Sequence, residues 1–156
     1  MKYTEEELNK RVECAVAHFN SGFNCAQAVV LAFADLYGLD ESMASRVSAS
    51  FGGGIGRMRE TCGAACGLFI LAGLDTSSTS PSDKENKNAN YKLVQSLAQE
   101  FKDENGSLCC GELLGLRPKA GAKEEFSEPV KVEKRPCFMM VESAARIWAN
   151  YLLHKE

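Results

Sequence analysis

Seven cysteines in 156 residues give this sequence its clearest capacity for chemistry. Four of them, Cys25, Cys62, Cys110 and Cys137, each stand beside a signal that starts a helix. Asn24 precedes Cys25, Thr61 precedes Cys62, Ser107 lies three before Cys110, and Pro136 precedes Cys137. Asn, Thr and Ser cap helices, and proline favours the first helical position. In a first helical turn, unpaired N–H groups and the helix dipole stabilise negative charge. A thiol there is therefore expected to ionise readily, its pKa drawn from about 8.5 toward roughly 3.5–7.5. The thiolate is the form that attacks a disulfide or binds a metal.

The remaining three cysteines read differently. Cys14 falls opposite Leu8, Val12 and Phe19 on the first helix and reads as a surface thiol. Cys66 lies one turn after Cys62 on the same face, placed to be its disulfide partner or a second ligand. Cys109 and Cys110 point about 100° apart on a helix, so only one can face a shared site, and Cys110 is preferred. Against a shared site stands the ordinary behaviour of free cysteine as a small buried hydrophobe, which supports a structural or adaptor domain with inert thiols.

Helices must position these residues. Thr4-x-x-Glu7 is a capping box followed by Leu8, Val12, Ala15, Val16 and Phe19, predicting a helix to about Asn20. Asn24-x-x-Gln27 opens a second, stopped at Gly38. A shorter helix is expected over about 40–50. The run Phe51-Gly52-Gly53-Gly54-Ile55-Gly56 then breaks regular structure. From Cys62 to about Leu74 the pattern is a buried helix, with Gly63 and Gly67 permitting close approach of another backbone. A polar loop over 75–90 leads into a helix with Tyr91, Val94, Leu97, Ala98 and Phe101 on one face, ending near Gly106. Ser107 is expected to cap a short helix closed by Gly115. The stretch Arg117–Arg135 reads as a loop excursion, and Pro136 starts the last helix, with Trp148 and Leu152 on its apolar face. No strand alternation or repeat is evident. The expected architecture is a single all-α domain over 1–156, a compact bundle of about five or six helices.

The bulk properties narrow the function classes. A net charge of −3 offers no general attraction to nucleic acid or anionic lipid. The acidic start Met1–Glu7 lacks the basic start of an export signal, and the apolar run Leu68–Leu74 is far short of the ~20 residues that span a bilayer. A cytoplasmic protein is expected, where thiols stay reduced apart from transient catalytic disulfides. Metal binding or redox chemistry is then the reading of a high cysteine count. The absence of a Cys-x-x-Cys pair argues against a zinc ribbon or thioredoxin-like motif, yet four cysteines from separate segments can still hold zinc or an iron–sulfur cluster. The glycine run lacks the full G-x-G-x-x-G spacing and reads as a tight turn, although its amides beside Arg57 and Arg59 could hold an anion. Exposed apolar faces on short helices are compatible with a homodimer.

Together, Asn24-Cys25-Ala26-Gln27-Ala28-Val29, Thr61-Cys62-Gly63-Ala64-Ala65-Cys66-Gly67, Cys110-Gly111-Glu112-Leu113-Leu114-Gly115 and Cys137 form an ordered set of motifs. In this the chain resembles the redox-active protein family named for its C-GCAxxG-C-C cysteine pattern, from about Asn24 to Leu152. The resemblance implies a small helical protein whose key cysteines are Cys25, Cys62, Cys110 and Cys137. One departure stands out: Cys62-Gly63-Ala64-x-x-Gly67 occupies the place spelled Gly-Cys-Ala-x-x-Gly, with the first two positions exchanged. Split-Soret cytochrome c is similar to this family in part, but the Cys-x-x-Cys-His needed for covalent haem is absent, and His18 and His154 read as solvated or capping residues.

The leading expectation is thiol-based redox activity, a thiol-dependent oxidoreductase with a redox partner of unknown identity. Cys62 would attack an oxidised partner and Cys110 would resolve the mixed disulfide. The alternative is a module in which Cys25, Cys62, Cys110 and Cys137 hold an iron–sulfur cluster or zinc.

Overall fold

A computed structural model describes residues 2–77, 79–116 and 137–155. The expected loop excursion over 117–135 and the expected role of Pro136 lie outside the described residues.

Local signals set most of the elements. Thr4 accepts from the Glu7 N–H while the Glu7 carboxylate accepts from the Thr4 N–H, starting α1 (Glu5–Asn20). Asn24 and Gln27 make the same reciprocal pair at α2 (Cys25–Leu31). This α-helix is shorter than the sequence suggests: a 3-10 turn, Ala34–Tyr37, carries the chain on to Gly38, which stops it in the left-handed conformation at φ +69°. Asp40 caps α3 (Glu41–Ser48).

The glycine run forms α4 (Gly52–Ile55), where Gly53 and Gly54 are left-handed, and that hand continues through Ile55, Gly56 and Arg57. Then come α5 (Gly63–Thr76), α6 (Lys84–Asn105) and α7 (Cys110–Leu113). Asp83 caps α6, which begins earlier than its apolar stripe indicates because polar Lys84–Asn90 is helical too. The last helix is α8 (Cys137–His154).

The result is all-α, as expected. Among the described residues there is no strand, only one antiparallel bridge between Thr61 and Cys109. α1 packs against α2 and α8, and α5 against α2, α6 and α8. Their shared core holds Trp148, Phe33 and Phe101 fully buried, together with Cys25 and Cys62. Gly67 lets α5 close on α2, since a Cβ there would lie 2.8 Å from the Val29 Cβ. Among the described residues no helix is long and apolar enough to cross a membrane.

Candidate functional site

The first thiol is placed by α2. Asn24 holds the start of that helix with its capping box, and its Nδ2 also donates to the Ala49 carbonyl at 3.0 Å. Gln27 likewise reaches Ser45. These two caps therefore anchor Cys25 to the α3 region as well as starting a helix. The Cys25 Sγ lies against the start of α5 so closely that a Cβ on Gly63 would collide with it. A side chain at 63 would therefore expel the thiol.

The second and third thiols are placed by the short antiparallel contact. The Cys62 N–H donates to the Leu108 carbonyl and the Cys110 N–H to the Glu60 carbonyl, each at 2.6 Å, on either side of the Thr61–Cys109 bridge. Side chains alternate along extended backbone. Cys62 and Cys110 consequently share one face, and Thr61 and Cys109 the other. Cys109 itself is the residue before α7, not part of its first turn, and its Sγ donates to the Arg59 carbonyl at 3.3 Å. Two expected caps are thereby corrected. Thr61 serves the bridge, and Cys62 occupies the cap position of α5 with no side-chain cap bond. Ser107 accepts from the Cys109 N–H within a turn before α7.

Cys25, Cys62 and Cys110 line one cavity of about 210 Å³, with Cys137 from α8 also on its wall. Phe19, Phe23, Leu113, Leu114 and Met140 supply an apolar lining. Cys14 is exposed, as expected of a surface thiol, and Cys66 is buried with its Sγ 3.9 Å from the Thr61 carbonyl. Neither lines this cavity. Among the described residues, no three His, Cys, Asp or Glu side chains are grouped so as to hold a metal ion.

One residue that sequence reasoning left at the margin stands inside. Arg59 is only 6% exposed, lines the cavity, and has its Nη1 3.8 Å from the Cys110 Sγ. Its sole signal was its place in the glycine-rich approach to Cys62. It gets there through an unusual backbone: Ile55, Arg57 and Arg59 all have φ near +60°, a conformation costing roughly 1–2 kcal/mol per non-glycine residue. Hydrogen bonds from the Arg59 N–H to Gly53 and from the Glu60 N–H to Gly54 hold the turn. Gly54 is required there, since a Cβ would come 2.5 Å from the Cys110 Cβ.

The electrostatics reverse the simple helix-start expectation. Burial pushes the Cys25, Cys62 and Cys110 thiols upward, and Cys66 up to about 11. Backbone N–H groups act in the opposite direction at Cys25 and Cys62, but desolvation outweighs them. At Cys110 the opposing influence is the Arg59 guanidinium, through both a hydrogen bond and its charge. Negative charge on Cys25 would raise Cys62, Cys66 and Cys110, so ionising one thiol discourages the next.

With this geometry in view, the family comparison is decisive. The family model described as "Putative redox-active protein (C_GCAxxG_C_C)" matches residues 23–151. The chain belongs to this family. The C-GCAxxG-C-C match runs from the residue before the Asn24 cap to Tyr151 of α8, so it spans the segments that contribute all four cavity thiols. No curated protein and no solved structure matches the chain.

Proposed function

We propose that this member of the redox family performs two-electron thiol/disulfide chemistry inside the cavity, and that Cys110 is the attacking thiol. The observation that carries the reading is a guanidinium beside one of several thiols in a single apolar cavity. Burial raises both Cys110 and Cys62, the residue first expected to attack, but at Cys110 the Arg59 guanidinium opposes it with a hydrogen bond and a full charge, whereas at Cys62 only backbone N–H groups do. Cys25 or Cys62 then supplies the second sulfur. Attack on an oxidant that enters the cavity joins one of its atoms to the Cys110 sulfur, and the second thiol displaces that group to close an internal disulfide. Cys137, only partly buried on the cavity wall, is the thiol through which the disulfide is passed outward.

Oxidation of the reduced protein with diamide, followed by peptide mapping, tests this. A disulfide between Cys110 and Cys25 or Cys62 is expected, and oxidation confined to Cys14, Cys66 and Cys109 would refute the reading. Protein prepared without air provides a second check. It should carry titratable thiols, and chelator treatment should leave its unfolding midpoint unchanged. Stoichiometric zinc or iron bound through these thiols would favour the metal reading instead.

A further inference from the structure

The cavity also carries information about what enters it. At about 210 Å³ it falls below the roughly 300–1,000 Å³ of sites for drug-sized ligands, too small for a protein loop or a nucleotide. Its lining is largely apolar, formed by Phe19, Phe23, Leu113, Leu114 and Met140. Among the described residues its one cationic side chain is the Arg59 guanidinium, positioned beside Cys110. Such a space takes a small molecule with an apolar body and one electron-rich end. Because the thiols would give up electrons, that end must also be an oxidant.

Resting on the thiol-redox reading above, we propose that the substrate is a small organic hydroperoxide. The Cys110 sulfur attacks the terminal oxygen of R–O–O–H and the O–O bond breaks. The products are Cys110 sulfenic acid and R–OH, with the thiol proton delivered to the departing alkoxide. The thiol of Cys25 or Cys62 then attacks the sulfenic sulfur, forming the disulfide and releasing water. Two thiols are oxidised by two electrons in total, and the hydroperoxide is reduced to an alcohol and water. An external dithiol restores the pair by exchange. Arg59 acts where charge develops on the departing oxygen, the place where a fixed donor lowers a barrier most. The apolar wall favours the organic peroxide over hydrogen peroxide, which has no apolar part to bury. It also offers little to an amino-acid disulfide such as cystine, whose charged ends need polar partners.

The test uses the full chain carrying Cys14→Ser, to remove the exposed thiol from the readout. Reduced protein is mixed with cumene hydroperoxide, hydrogen peroxide or cystine at equal concentrations, and the internal disulfide is followed by alkylation and peptide mapping. Cumene hydroperoxide should act about tenfold faster or more than either of the others, yielding one cumyl alcohol per disulfide. Arg59→Lys should slow that reaction by about tenfold or more while diamide still forms the disulfide in full. Leu114→Phe, which narrows the cavity, should slow cumene hydroperoxide more than hydrogen peroxide. Equal or faster reaction with hydrogen peroxide or cystine overturns the substrate assignment, as does an unchanged rate in Arg59→Lys. If diamide also fails to form the disulfide in the Cys14→Ser protein, the thiol-redox reading itself falls.

Discussion

At the residue scale, Gly63 and Gly54 matter through the atoms they lack. Gly63 gives the Cys25 Sγ its place on the start of α5, and Gly54 does the same for Cys110. Overpacking a close-fitted site costs about 1–3 kcal/mol. Gly63→Ala should therefore lower stability by about that amount in denaturant titration and increase the alkylation rate of Cys25. Gly54→Ala should cost more, since its φ of +70° is strained for any side chain in addition to the contact with Cys110. The sequence marked Gly54 within a glycine run and Gly63, with Gly67, as a small residue permitting close approach. It did not mark which thiol each one serves.

At the element scale, the two capping boxes look alike in sequence but do different amounts of work. Thr4 and Glu7 cap an exposed helix start, whereas Asn24 combines its box with a bond from its Nδ2 to the Ala49 carbonyl. Loss of a cap costs about 0.5–2 kcal/mol. Asn24→Ala should fall at the upper end of that range and Thr4→Ala at the lower, as chemical denaturation would show. Asn24→Ala should also loosen Cys25, so its alkylation rate should rise, while Thr4→Ala leaves that rate unchanged. The helices themselves were legible because caps, glycine stops and apolar stripes act within a few residues of one another. The caps expected at Thr61 and Ser107 do not form, because a contact between segments almost fifty residues apart takes up the backbone groups around them.

At the scale of the whole molecule, the end of α5 is tied to distant elements by one carboxylate. Asp75, whose side chain is 5% exposed, accepts from the hydroxyls of Tyr37 and Tyr151 and from the Lys155 ammonium, each at 2.9 Å in its shortest contact. Asp75→Ala would leave two phenols without that acceptor and should cost about 2–4 kcal/mol in denaturant titration, with Asp75→Asn milder. The buried thiols make a separate global prediction. A thiol whose pKa is higher folded than unfolded binds more protons in the native state at alkaline pH. Its stabilisation is complete below the unfolded pKa of about 8.5 and disappears as pH rises through the folded value. For Cys66 that window runs up to about 11. Tyr151, raised to about 12 by burial and by Asp75, extends the same trend above the ordinary phenol range. The unfolding midpoint should hold steady between about pH 7 and 8 and then fall continuously toward pH 11.

The sequence by itself determined most of the helices, their order and which four cysteines to look for together, because periodicity, caps and ordered motifs are read over short stretches of chain. Tertiary structure decided which way those cysteines face and how acidic they are. Cys110 shares a face with Cys62 because of a bridge between residues 61 and 109, and Arg59 enters the cavity through a left-handed turn. The helix starts do favour thiolate, as their sequence implied. Desolvation is a sum over neighbours from many segments, and in this site it exceeds the local pull of a few N–H groups. Only the assembled fold could reveal that balance, and with it the distinctive place of Cys110 beside a buried guanidinium.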